Sequence, residues 1–269
     1  MTARIPLPDP FASRPFSVSE ARSAGFGRGR LTGADLAKPF WGVRTIAPPR
    51  PRTDSAESIA EMADVRIETG MLELCRAYAV RMSPDQFFSH VTAARLYRIP
   101  LPSRFRNDAL LDVSVPFPAR SVRAAGVRGH KQIIDPANLR LVHGMLASSP
   151  ARVWCELAPL LSCEELVCVG DFLLWRRQPQ ASRAELEAAI AKYAGRAGGA
   201  KLLEALPELT DRSDSPPEST LRFRFVRAGL PPLAVNPMIY GPSGEFLGMP
   251  DLAFLRYRML VDYEGDHHR

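Results

Sequence analysis

Residues 16–45 read FSVSEARSAGFGRGRLTGADLAKPFWGVRT, and this stretch sets the fold expected at the N-terminal end of the chain. Ser17 stands three residues before Glu20, the spacing of a capping box, in which hydroxyl and carboxylate satisfy backbone N–H groups that a helix start leaves unpaired. A short helix therefore opens at Ser17. Gly25 supplies a turn, Phe26 to Leu36 a second short helix ending near Lys38-Pro39, and Phe40 to Ile46 is rich in strand-forming types. Helix, glycine turn, helix and strands outline a winged helix-turn-helix. In that geometry the second helix carries Arg28 and Arg30 into a DNA groove, with Arg44 following on the strand. Two short helices and a hairpin that simply pack together fit the same spacing, and both readings stay open.

Outward from this unit, Ala47-Pro48-Pro49-Arg50-Pro51-Arg52 reads as a linker, because proline continues neither a helix nor a central strand. The expected domains are 1–50, 56–178, a helical connector over 179–214, and 215–269. In the middle domain, Met71 to Met82 is an amphipathic helix candidate. Ser83 with Pro84 opens another helix. Leu110 to Pro116 alternates as a half-buried strand does, and Gly126 to Ile133 and Leu139 to His143 are further strands. Ser149-Pro150 starts a helix to about Leu160, and the capping box Ser162-Cys163-Glu164-Glu165 one to about Trp175. Ser182 to Glu185 repeats that box, opening a helix to about Tyr193, and Lys201 to Leu206 forms another helical segment. Ser215-Pro216-Pro217-Glu218 starts a helix to about Ala228. Three strands follow, over Leu233 to Tyr240, Phe246 to Phe254 and Arg258 to Glu264, with Pro242-Ser243-Gly244 as a hairpin turn. The fold class expected is α+β.

Composition narrows the function classes. The chain has 269 residues, 46% hydrophobic and 24% charged, the usual globular mix. No apolar run approaches the ~18–20 residues of a membrane helix. The start, MTARIPLPDPF, has no apolar h-region, so the expectation is a cytoplasmic protein without a membrane partner. Four cysteines in 269 residues do not make a disulfide scaffold. Cys155, Cys163 and Cys168 lack metal-ligand spacing and read as core thiols. Net charge is +6 and concentrated early: residues 1–52 carry nine basic side chains against three acidic ones, and residues 76–131 ten against three. A cationic first half suits a polyanion such as DNA. It also suits a solvated surface in an arginine-rich chain.

Strand alternation over 258–264 sets Asp262 and Glu264 on one face. Asp251 lies on the preceding strand and Glu218 on the helix before it. Converging carboxylates repel one another unless a cation neutralises them, and a hard cation such as Mg²⁺ is held by one or two carboxylates with water and phosphate oxygens. That arrangement hydrolyses phosphodiesters, with His267 or His268 available as acid or base. Glu218 is equally explained as a capping residue, and Asp262 and Glu264 as solvent-facing groups on an edge strand. His90, His130 and His143 read as isolated. Trp41, Trp154 and Trp175 read as core or interface anchors. No Walker A, nucleophile-elbow or dinucleotide-binding motif is present.

Several segments look like a known family. Residues 16–45, with FSHVTAARLYRIPLP and SSPARVWCELAPLLSCEELVCVGDFLLWRR, resemble AbiEi-type antitoxins, transcriptional regulators of type IV toxin–antitoxin systems. SPPESTLRFRFVRAGLPPLAVNP, GEFLGMPDLAF and LVDYEGDHH resemble the Vsr-like endonuclease domain often fused behind them, which has the PD-(D/E)xK restriction-endonuclease-like fold. Together these cover about residues 16–269. The resemblance implies a winged helix-turn-helix, an α+β middle domain and a C-terminal α/β nuclease-like domain. It also implies DNA and a cognate toxin as partners, and Mg²⁺ as the cofactor of a working nuclease site. Glu218 matches the family's helix acid, Pro250-Asp251 its Pro-Asp, and His267 and His268 its histidines. Asp262 and Glu264 stand where the family has glutamate then aspartate. By that match Asp251, Asp262 and Glu264 hold metal, Glu218 assists, and His268 or His267 is the acid/base. The family's fold continues with another helix and strand beyond the position of Arg269, so the nuclease-like domain expected here is partial. The expected function is a DNA-binding, antitoxin-like regulator, with a Mg²⁺-dependent DNA endonuclease as the alternative.

Overall fold

The computed structural model describes residues 6–47, 70–106 and 108–264. The chain is a mixed α+β protein of two compact units, one of Met1–Thr92 with Arg106–Ala147, the other of Ala93–Phe105 with Ser148–Arg269. No helix among the described residues is long and apolar enough to cross a membrane.

The first unit begins with a three-stranded antiparallel sheet in the order β1-β3-β2. β1 (Phe16–Ser17) pairs with β3 (Val43–Ile46), which pairs with β2 (Leu36–Ala37). α1 (Val18–Ser23) starts as its serine dictates: the Ser17 hydroxyl accepts from Glu20 N at 2.9 Å. The Glu20 carboxylate pairs with Arg14 rather than closing the box, and that guanidinium holds it below the usual carboxylate range. Phe11, Phe16, Ala21, Leu31 and Leu36 form a small core beneath. Between the glycines, however, the expected second helix is a single 3-10 turn, Arg30–Thr32. Gly25, Gly27, Gly29 and Gly33 within eleven residues hold too little helix propensity to extend it.

The rest of this unit is a five-stranded mixed sheet in the order β6-β5-β4-β8-β7. α2 runs over 70–79. The helix expected from Ser83-Pro84 is instead a turn leading into β4 (Phe87–Phe88), and helix resumes only at α3 (His90–Leu96). As the central strand, β4 is buried on both faces, so its two phenylalanines carry no alternation. β5 (Leu111–Pro116) runs antiparallel to β4 and parallel to β6 (Val127–Gln132). β5 is buried on both faces too, Asp112 and Ser114 included, where half-burial was expected. β7 (Leu139–Val142) turns at His143-Gly144, both at positive φ (50° and 77°), into β8 (Met145–Ser148). Positive φ at both central positions is the requirement of the tightest hairpin turn.

In the second unit α4 (Pro150–Leu157) packs on α5 (Cys163–Leu174) and α6 (Arg183–Tyr193), while α5 packs on α7 (Gly199–Ala205) and α8 (Pro216–Arg227). Ser149, Ser162, Ser182 and Ser215 each cap the helix expected of them. Trp154 is fully buried and its indole N–H donates to Leu166 O at 2.9 Å. The inner face of α5 is tied to α8 through Asp171, whose carboxylate accepts from Arg222, Ser219 and Thr210 N at 3.0, 2.7 and 2.7 Å. A three-stranded antiparallel sheet follows, β9 (Ala234–Val235), β12 (Leu252–Phe254) and β13 (Met259–Val261), with β12 central. A separate hairpin, β10 (Ile239–Tyr240) and β11 (Phe246–Gly248), uses the expected turn. The single strand expected from Phe246 to Phe254 is thus two, broken where Pro250 lacks an N–H for the ladder.

Candidate nucleic-acid interface

The first unit carries a cleft of about 1350 Å³. Its charged lining is Arg22, Arg28, Lys38, Arg44, Arg81 and Arg123, with no aspartate or glutamate in the lining among the described residues. The elements converge on it: the last turn of α1 gives Arg22, the glycine-flanked loop gives Arg28, and the β2–β3 connection gives Lys38 and Trp41. β3 gives Arg44, the residues after α2 give Arg81, and the loop before β6 gives Arg123. Arg22, Arg28, Lys38, Arg81 and Arg123 are exposed.

The three arginines expected to contact DNA separate in this geometry. Arg28 lines the cleft. Arg44 lines it too, but is half-buried and donates to Leu31 O and Val43 O at 2.7 and 2.8 Å. Arg30 is not in the lining: its guanidinium makes two hydrogen bonds to Asp35, at 3.2 and 2.8 Å, with its side chain 9% exposed. Trp41, read from sequence as a core or interface anchor, is 88% exposed and lines the cleft. Arg22, Lys38, Arg81 and Arg123 were visible only as part of the charge excess.

The acidic candidates lie in the second unit. β13 ends at Val261, so alternation does not place Asp262 and Glu264 on a strand face, and Glu264 is exposed. Asp262 instead meets Asp251 by reciprocal capping: Asp251 N donates to Asp262 Oδ1 at 3.1 Å, and Tyr263 N donates to Asp251 Oδ2 at 2.7 Å. Burial raises the Asp251 carboxyl above its ordinary range, and Glu218, Asp262 and Asp214 push it the same way. Glu218 is buried, its Oε2 accepting from Asp214 N and from Asn236 Nδ2 at 2.9 and 3.0 Å. As a test of fit to Mg²⁺, Asp251 and Asp262 stand together, whereas Glu218 is taken up by backbone and amide donors. Among the described residues no group of three or more His, Cys, Asp or Glu side chains is placed to hold a metal ion. His267 and His268 lie outside the described residues.

None of the four cysteines is in a disulfide. Burial pushes the Cys155 thiol up to about 12 and the Cys168 thiol up to about 11, as expected of structural thiols. Two histidines are not isolated. The rings of His90 and His130 stack at 3.9 Å between centroids. His130 Nε2 lies 2.8 Å from the buried Asp112 carboxylate, which also accepts from Arg128. His90 Nδ1 lies 2.9 Å from Ser89 Oγ, which accepts from Ser114, which accepts in turn from Gln132 Nε2. Apart from the neighbours Ser89 and His90, the hydrogen-bonded partners are 16 to 25 residues apart in sequence, so the pairing of β4, β5 and β6 is what reveals them.

No protein-family model matches the chain, and no curated protein matches it. Among solved structures it is similar to the crystal structure of the Rv2827c protein from Mycobacterium tuberculosis, at 14% identity and a TM-score of 0.40, over 85% of this chain and 84% of that one. Likeness at that level fixes neither fold nor function.

Proposed function

We propose that the protein is a DNA-binding regulator of the antitoxin-like kind, with the cleft of the first unit as its DNA-binding surface. One observation carries this reading: six basic side chains line one cleft, with no carboxylate in that lining among the described residues. Phosphate contacts of this kind supply most of the affinity for nucleic acid and make it salt-dependent, because each contact releases a condensed counterion. Arg28 and Lys38 are exposed in this lining, where phosphates of a duplex can reach them. A cognate toxin as a protein partner and the winged helix-turn-helix and partial nuclease folds rest on the family resemblance. The test is retardation of a plasmid or a 30-base-pair duplex by purified protein at 50 and at 200 mM salt. Retardation lost steeply between the two supports the reading, and no retardation at 50 mM removes it.

A second reading is favoured by the meeting of Asp251 with Asp262. In it the second unit is a Mg²⁺-dependent DNA endonuclease, with the two aspartates as metal ligands and Glu218 and Glu264 in support. Bound Mg²⁺ supplies charge stabilisation for phosphodiester hydrolysis. Supercoiled plasmid nicked with Mg²⁺, intact with EDTA, and intact with Asp251→Ala is the expected result. Nicking that survives Asp251→Ala eliminates the assignment.

A further inference from the structure

The residue in the cleft that phosphate binding does not explain is Trp41. A tryptophan is a large apolar side chain normally buried at least in part. The other two follow that rule: Trp154 is fully buried, and Trp175 is half-buried with its N–H on Asp214. Trp41 is 88% exposed.

Its exposure is built in rather than loose. Phe40, next in the chain, is buried and packs edge-on against Tyr78 at 5.0 Å between centroids. Gly42 takes a φ of +78°, a conformation that L side chains rarely adopt. Phe40 O accepts from Val43 N at 3.1 Å, closing the turn. Gly42 O accepts from Val18 N at 2.7 Å, and Trp41 O accepts from Arg81 at 3.4 Å. The backbone on both sides of Trp41 is therefore held by α1, by Arg81 and by the aromatic pair beneath, and with Phe40 directed inward the indole is presented to solvent. Lys38, Arg44, Arg81 and Arg22 line the same cleft.

An aromatic face presented by a held backbone in a cleft whose described lining carries only cations is what an unstacked nucleobase needs. The cations hold the phosphates, and the ring replaces the stacking a base loses on leaving the helix. We propose that Trp41 is a base-stacking residue, and that the cleft prefers DNA with an unpaired or opened base step over fully paired duplex. The inference rests on the reading of the cleft as the DNA-binding surface and goes beyond it by naming the DNA state that is preferred.

The experiment compares a 30-base-pair duplex with the same duplex carrying a central three-nucleotide mismatch bubble, using the full chain. Affinity and quenching of tryptophan emission by acrylamide are both read. Acrylamide is neutral, so screening of the cleft charge does not mimic protection. The wild type is expected to bind the bubble about 5- to 150-fold more tightly, the range for stacking one base, and the bubble shields the quencher-accessible tryptophan. Trp41→Ala is expected to bind the two DNAs equally and to lose the shielding. Trp41→Phe should keep most of the preference, since phenylalanine retains a stacking face. Equal binding of the two DNAs by the wild type, or a preference that persists in Trp41→Ala, overturns the inference while leaving the cleft as a duplex-binding surface. Failure to bind either DNA at 50 mM salt overturns both readings.

Discussion

Arg28 and Arg30 sit two residues apart and carry the same charge, yet their surroundings assign them different work, and replacing each separately tests that. Arg28 is exposed in the lining of the basic cleft. A phosphate contact there contributes about 0.9 to the slope of log affinity against log salt. Across a fourfold rise in salt, from 50 to 200 mM, one contact thus accounts for about 3.5-fold in affinity, and six for about a thousandfold. Arg28→Ala is therefore expected to lower the slope by about 0.9 and leave the thermal midpoint almost unchanged. Arg30 makes two hydrogen bonds to Asp35, with its side chain 9% exposed. Arg30→Ala removes two charge-assisted bonds to Asp35, a loss of about 1–3 kcal/mol in stability, with the salt slope unchanged. The assay is fluorescence anisotropy of a labelled duplex at four salt concentrations, beside urea melts of the three proteins. A slope unaltered in Arg28→Ala, or lowered equally in Arg30→Ala, refutes the assignment of the cleft.

Three further outcomes concern the second unit. Asp171→Ala leaves Arg222 in the interior without its carboxylate, with Arg222 Nε already unpaired. A loss of about 3–5 kcal/mol is expected in urea unfolding, and Asp171→Ala with Arg222→Met should recover part of it. Gly198 has a φ of +84°, and a Cβ there falls 2.6 Å from the backbone of Ala158, so Gly198→Ala should cost about 2–4 kcal/mol through strain and overlap; a neutral result would mean the α6–α7 connection is placed differently. The Arg104 guanidinium, which pairs with Glu165, brings the Glu165 carboxyl down to about 2 despite partial burial. A depressed carboxyl stabilises the fold above its unfolded pKa, near 4.5, and loses that contribution as pH falls towards 2. Solvent screening limits it to about 1 kcal/mol. Glu165→Gln keeps the capping geometry, so its deficit in melting temperature should appear at pH 7 and vanish at about pH 2.

The legible parts of this fold are those whose partners lie close in sequence. Ser17, Ser149, Ser162, Ser182 and Ser215 cap helices where expected, because a hydroxyl and an N–H three residues on settle a helix start without help from the rest of the molecule. Elements that depend on distant partners were not legible. Phe87–Phe88 became the centre of a five-stranded sheet, which no local pattern announces, and the segment from Phe26 to Leu36 kept only a single 3-10 turn among Gly25, Gly27, Gly29 and Gly33. The cationic character of the candidate site was plain from arginine counts. Its geometry was not: Asp35, five residues along, takes up Arg30, and the inward turn of Phe40 sends Trp41 outward. The pairing of Asp251 with Asp262 was anticipated as a meeting of carboxylates but arises beyond the end of β13, where Asp262 accepts from Asp251 N and Asp251 from Tyr263 N.

The chain from Gln132 through Ser114 and Ser89 to His90 has a direction. An amide nitrogen can only give its hydrogen, so Ser114 receives from Gln132 and must hand its own hydrogen to Ser89, which is then left facing His90 Nδ1 with one to give. A glutamine on the edge strand β6 is thereby connected, through two hydroxyls, to the ring of a histidine at the start of α3, 42 positions away in sequence. An acceptor-only carboxylate in place of that amide, as in Gln132→Glu, has no hydrogen to give Ser114, so a change at the edge of the sheet is felt at the imidazole through the pairing of three strands.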